Sequence, residues 1–140
     1  MKKLLLPLLV LAGIGSANAQ VIFNVESPAA IAGEHPFDGV DIATWPLTPD
    51  MTIPLNYIQG TLQLVAEPGG DTLACSPLSA DLTGKIAVLY RGSCEFGTKA
   101  LNAENAGAIG VIIINIAPGV VGMGPGTDGP SVSVPVLMIS

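Results

Sequence analysis

Gly84-Lys85-Ile86-Ala87-Val88-Leu89-Tyr90-Arg91-Gly92-Ser93-Cys94-Glu95-Phe96-Gly97-Thr98-Lys99-Ala100-Leu101-Asn102-Ala103-Glu104-Asn105-Ala106-Gly107-Ala108-Ile109-Gly110-Val111-Ile112-Ile113-Ile114-Asn115 is the stretch that decides the fold. Ile86 to Tyr90 is a short apolar run bounded by Gly84 and Gly92, the mark of a buried strand. From Glu95 to Ala106 the period changes. Phe96, Ala100, Ala103 and Gly107 recur at spacings of four, three and four, which places them on one face of a helix. Lys99, Asn102 and Glu104 fall on the other faces and read as solvated positions. Ser93 is the expected N-cap, since its hydroxyl can accept from the free N–H groups of a first turn. Gly107 is the expected stop, because glycine enters the left-handed conformation without a Cβ clash. Val111 to Ile114 is β-branched throughout and too short for a helix. Strand, helix and strand within about thirty residues make a βαβ unit.

Outward from this centre the chain is strand-rich and short of helix signals. Val21 to Val25 reads as a strand, and Ser27 to Thr52 as a long loop tied down by Phe37 and Trp45. A loop of that length in a compact domain suggests a functional or cap-like segment. Ile53 to Tyr57 is a short apolar run. In Gly60 to Ala66, Leu62, Leu64 and Ala66 recur at a period of two, as in a half-exposed strand. Pro68-Gly69-Gly70-Asp71 is a turn. Beyond Asn115 glycine and proline dominate. Gly122-Met123-Gly124-Pro125-Gly126 has no helix after it and no lysine near it, so it reads as an exposed loop rather than a phosphate cradle. Ser131 to Ile139 is a last alternating run in which Pro135 implies an edge strand or a strand start.

At 140 residues the chain is long enough for one domain. Residues 1–19 have the form of a secretory leader: basic Lys2 and Lys3, an apolar Leu4 to Ile14, and a small-x-small Ala17-Asn18-Ala19. Cleavage is expected after Ala19. That apolar run is short for a bilayer, and no later segment could span one. The expected organisation is a leader at 1–19, an N-terminal strand and long loop at 20–52, and the main domain at 53–140. The chain stops at Ser140 straight after a strand, so the domain is expected to be truncated at its C-terminal end.

Without the leader, three cations (Lys85, Arg91 and Lys99) stand against eleven acids, a net charge of −8. So acidic a chain is a poor nucleic-acid ligand, because binding there needs a phosphate-neutralising surface. Cys75 and Cys94 both lie in the exported part, where a disulfide is the expected state. The alternative is a nucleophilic Cys94 at a helix start, but it lacks a nearby base: the sole histidine is His35. One histidine is too few for the usual zinc-peptidase sites, and no serine sits in a nucleophile elbow. Asp38, Asp41 and Asp71 lack the spacing of a calcium loop. The sequence therefore offers no catalytic, metal or cofactor residues. If the domain recognises a partner, the Gly119-to-Pro130 loop, which holds Met123, and the Phe37/Trp45 loop are the candidates. Arg91 is read as a donor that pins a turn through backbone carbonyls.

Taken together, Gly84-Lys85-Ile86-Ala87-Val88-Leu89, Arg91-Gly92-Ser93-Cys94-Glu95-Phe96, Lys99-Ala100-Leu101-Asn102-Ala103, Ala106 to Ile113 and the closing Ser133-Val134-Pro135-Val136-Leu137-Met138-Ile139-Ser140 resemble the protease-associated (PA) domain family. Ala74-Cys75-Ser76-Pro77-Leu78 also matches, and the resemblance covers roughly Ile53 to Ser140. It implies a mixed α/β, strand-rich fold, an open β-barrel or sandwich flanked by helices with a strand–helix–strand centre. It implies pairing of Cys75 with Cys94, no catalysis, and a protein or peptide partner whose access to an exported peptidase the domain regulates. Two departures stand out: no peptidase sequence accompanies the domain, and the short helix and final strand that usually follow the closing strand are absent.

Overall fold

The computed structural model describes residues 22, 24–34 and 40–140. The leader and Phe37 lie outside the described residues. Two short strands, β1 (Asn24–Val25) and β2 (Gly33–Glu34), pair antiparallel as a small ribbon. The main sheet contains β3 (Val40–Ile42), β4 (Thr61–Leu64), β5 (Lys85–Tyr90), β6 (Gly110–Ile114) and β7 (Val136–Ile139), in the spatial order β3-β7-β6-β5-β4. The β3–β7 pair is antiparallel; the other three pairs are parallel. The helix α1 (Phe96–Asn105) joins β5 to β6, so the strand–helix–strand centre stands as expected. The fold is mixed α/β and rich in strands. Among the described residues the strands form one open sheet and a ribbon rather than a closed barrel, with α1 as the α-helix.

Two local expectations are corrected, and two open readings are decided. Ser93 does not cap α1: it sits at φ 57, and the N-cap is Glu95 in an extended conformation without a side-chain cap bond. The long loop expected at 27–52 contains β3, whose register against β7 (Asp41 opposite Met138) makes it part of the main sheet. The apolar run Ile53–Tyr57, to which the sequence assigns no element, holds a 3-10 turn at Pro54–Asn56. Of the two readings of Pro135, the strand start holds, since β7 begins at Val136 between β3 and β6. Lacking an N–H itself, Pro135 still accepts from Val111 N at 2.9 Å, which holds the register at that point.

Alternation divides the sheet into two unlike faces. The inner face presents Ala87 and Leu89, Val111 and Ile113, and Val136 and Met138, all sealed from water. They pack with Ala100 and Ala103 of α1 and with Ala74, Leu82 and Val132 from the connections. Two glycines permit this closeness. A Cβ on Gly97 would lie 2.1 Å from the Pro125 carbonyl oxygen and 2.3 Å from Gly129 N, so the 125–129 turn sits directly on the helix. Gly107, at φ +98, ends α1 where a Cβ would meet Thr83 within 3 Å. The outer face carries Leu62 and Leu64, Ile86, Val88 and Tyr90, Ile112 and Ile114, and Leu137 and Ile139, which is apolar on every one of these strands. Its cover is partial: Ile86 and Ile112 are buried, whereas Leu62, Leu64 and Tyr90 are exposed.

Candidate functional site

Conspicuous side chains meet at three places. The first is the corner where the segment before β5 meets the start of α1. Cys75 and Cys94 are bonded there, with their Cα atoms 5.7 Å apart. Helix α1 holds the same segment by two further contacts: Lys99 Nζ donates to the Leu73 carbonyl at 2.6 Å, and Asn102 Nδ2 donates to the Ala74 carbonyl at 3.0 Å. Glu67 accepts the Cys75 N–H, and Asp71 Oδ1 accepts the Leu73 N–H at 3.0 Å. Ala74 needs such fastening, because it is wholly buried at φ 57, a conformation unfavourable for any residue with a Cβ. Lys99 is thus not a solvated helix charge. Its exposure is 0 %, and burial lowers its pKa, opposed by the charges of Glu67 and Asp71.

The second place joins two loops. Trp45 is 5 % exposed and Met123 7 %, so both side chains sit in the core, while the loops that carry them lie at the surface. Trp45 Nε1 donates to the Met123 carbonyl at 2.9 Å, and Met123 N donates to Asp41 Oδ2 at 2.8 Å. A buried indole N–H needs an acceptor, and here it finds one 78 residues away. The glycine-rich loop is fastened to α1 as well: Thr98 Oγ1 donates to Asp128 Oδ2 at 2.7 Å, and Thr127 N donates to Glu95 Oε2 at 2.8 Å. The loop is exposed, as its composition suggests, but fastened to α1 at these two points. Arg91 meets a side-chain acceptor rather than the expected backbone carbonyls. Its guanidinium donates to Asn115 Oδ1 at 3.1 Å, and Asn115 Nδ2 donates to the Gly119 carbonyl at 2.6 Å.

The third place was not singled out from the sequence. It is the outer face of the sheet with its free edge. Val65 N donates to the Val88 carbonyl, so the odd-numbered residues of this strand turn their backbone groups towards β5. Leu62 and Leu64 turn theirs away, towards an edge that no strand pairs with among the described residues. Their side chains are 42 % and 48 % exposed. A cavity of about 1040 Å³ runs from this edge across the outer face, walled by the Asn24–Pro28 segment and by Ile53, Tyr57 and Ile58. The signal for it was present as the apolar alternate positions of β4 to β7, but in sequence these look like ordinary core strands.

Among the described residues no group of three or more His, Cys, Asp or Glu is placed to hold a metal ion. Asp41 and Asp71 each bind a backbone N–H instead. No described helix is long and apolar enough to cross a membrane.

A mixed sheet with a βαβ centre, a disulfide beside the helix and an open apolar face defines a small scaffold-type domain. The PA domain family model matches residues 59–140, and the chain belongs to that family. Similar curated proteins include "Signal peptide peptidase-like 3" of Arabidopsis thaliana, 46 % identical over 69 residues, which are 48 % of this chain and 13 % of that protein. "Minor extracellular protease Vpr" of Bacillus subtilis (strain 168) is 45 % identical over 60 residues, 43 % of this chain and 7 % of that protein. "Aminopeptidase YwaD" of the same organism is 46 % identical over 61 residues, 44 % of this chain and 13 % of that protein. The matched region is thus a small part of each of these peptidases.

Proposed function

We propose that the chain acts as a non-catalytic recognition module of an exported protein, binding an extended peptide and so recruiting or regulating substrate for a peptidase. The observation that carries this reading is the free edge of β4 beside an apolar groove. Natural edge strands are usually blunted by charge, proline or a bulge. Thr61-Leu62-Gln63-Leu64 has no charge and no proline, and its outward backbone groups, of which the Leu64 carbonyl accepts from Gln63 Nε2 at 3.1 Å, are flanked by two exposed leucines. An extended peptide satisfies both features at once: its backbone completes the ladder, and its alternate apolar side chains cover Leu62 and Leu64.

The relatives lend the peptidase connection, because the proteins this segment resembles carry protease or peptidase names. That it occupies only a small part of each supports a second reading, in which the domain belongs to a larger secreted peptidase whose catalytic part lies elsewhere. The leader-like start, the disulfide and the name of the extracellular relative favour an exported location.

The test is selection from a random peptide library displayed on phage, followed by binding of the selected peptides to the wild type and to Leu64→Asp. The expected result is enrichment of peptides with alternating apolar residues, bound at least tenfold more weakly by Leu64→Asp, with none cleaved on long incubation. Peptides that bind Leu64→Asp equally well, or that are cleaved, would overturn the proposal.

A further inference from the structure

Lys99 and the Cys75–Cys94 bond form an arrangement that goes beyond holding the fold. A buried ammonium needs a counter-charge, and an uncompensated one is costly. The acceptors its Nζ reaches are the Leu73 carbonyl at 2.6 Å and Cys75 Sγ at 3.5 Å. Glu67 and Asp71 are the acids whose charge acts on it, but Glu67 is hydrogen-bonded to Cys75 N and Asp71 to Leu73 N. As part of a disulfide, Cys75 Sγ is a neutral and weak acceptor. As a thiolate in the same position, it would add a counter-charge in direct contact with Nζ, which Glu67 and Asp71 supply only from a distance.

We propose that Cys75–Cys94 is a thiol–disulfide exchange site for an external thiol, with Cys94 as the sulfur attacked and Cys75 as the leaving thiolate held by Lys99. Both cysteines are half-buried: Cys94 lies between the exposed Ser93 and Glu95, and Cys75 lies between the buried Ala74 and the exposed Ser76, with its sulfur 3.5 Å from Lys99 Nζ and 3.8 Å from the Gly92 carbonyl. An incoming thiolate forms a bond to Cys94 Sγ as the Sγ–Sγ bond breaks, and the electron pair leaves on Cys75 Sγ. A second thiolate then attacks the external sulfur of the mixed disulfide and releases Cys94 as a thiolate. The two external thiols, which a dithiol can supply together, are oxidised to a disulfide, and the protein gains the two electrons. The start of α1 also favours a thiolate at Cys94, but a helix terminus offers about half a charge, against the full charge of Lys99 beside Cys75. Neither the Lys99–Leu73 nor the Asn102–Ala74 contact involves a sulfur, so opening the bond breaks neither of them directly.

Two measurements on the full wild-type chain test this. In the reduced protein, the alkylation rate of each cysteine by iodoacetamide is followed against pH by peptide mass spectrometry. Cys75 is expected to titrate at least one unit below the ordinary thiol value of about 8.5 and below Cys94. In the oxidised protein, brief exposure to glutathione and acid quenching is expected to leave glutathione on Cys94. Lys99→Met, with Lys99→Arg as the charge-keeping control, is expected to make the bond about tenfold harder to reduce, about 30 mV more negative, while the control stays near wild type. A Cys75 that titrates at or above about 8.5, or glutathione found mainly on Cys75, would overturn the proposal, and so would a Lys99→Met midpoint equal to wild type. If Lys99→Met fails to fold, the two wild-type measurements decide alone.

Discussion

The two faces of the main sheet are built from the same kinds of residue and end in different states. Leu89, Ile113 and Met138 on the inner face are completely sealed, whereas Leu62, Leu64 and Tyr90 on the outer face stand in water. Hydrophobicity does not separate them. What separates them is the set of directional contacts over the inner face: Trp45 to Met123, Met123 to Asp41, Thr98 to Asp128 and Lys99 to Leu73. Burial drives a surface out of water without specifying which neighbour covers it; the polar contacts select the neighbour. The inner face is therefore the scaffold, and the outer face is the one the proposed peptide would cover.

The sharpest way to break this comparison is to remove an inner-face fastener. Trp45→Ala should cost about 3–5 kcal/mol in urea unfolding, since it empties a core site and leaves the Met123 carbonyl unpaired. A loss below about 1 kcal/mol would mean that Trp45 is a surface residue after all. Next in size is the covalent tie. Cys75→Ala with Cys94→Ala opens a link of sequence separation 19, and the chain-entropy model predicts a loss of about 3 kcal/mol, seen as a lower Tm. An unchanged Tm would show that the bond adds nothing to stability.

A smaller effect follows from Lys99. Its pKa is lowered by burial from the ordinary 10.5, so between the folded value and 10.5 the unfolded chain binds the extra proton. Stability from this group therefore rises with pH across that window, and Lys99→Met should flatten the rise in pH-dependent denaturation. A slope that persists unchanged would assign the dependence to other groups. The smallest effect on stability belongs to the outer face. Leu62→Ser with Leu64→Ser should change unfolding by no more than about 1 kcal/mol, because both side chains are already half exposed, yet it should remove peptide binding. A large loss of stability would mean that the outer face is core.

The sequence was legible where a residue's role depends on near neighbours. Ile86 to Tyr90, the Phe96/Ala100/Ala103 stripe and Gly107 revealed β5, α1 and the helix end, because period and glycine conformation are local properties. The disulfide followed from compartment and count, and the family from the order of short motifs. What stayed hidden depends on distant partners. Trp45 reads as a loop aromatic until its acceptor, 78 residues on, is known. Lys99 reads as solvated because the helix period marks only the sheet-facing stripe, whereas a second face of α1 packs on Leu73 to Cys75. β3 was obscured by the prolines and glycine around Asp41, although its pairing needs only three residues. The open face was legible as apolar but not as uncovered, since exposure is a property of the whole arrangement.

The account turns on the outer edge of β4 being the docking edge. Hydrogen–deuterium exchange resolved to single amides, with and without a selected peptide, measures this directly. The account predicts that the amides of Leu62 and Leu64 exchange freely in the unbound domain and become protected on binding. Protection confined to residues 119–130, with β4 exchange unchanged, would contradict it.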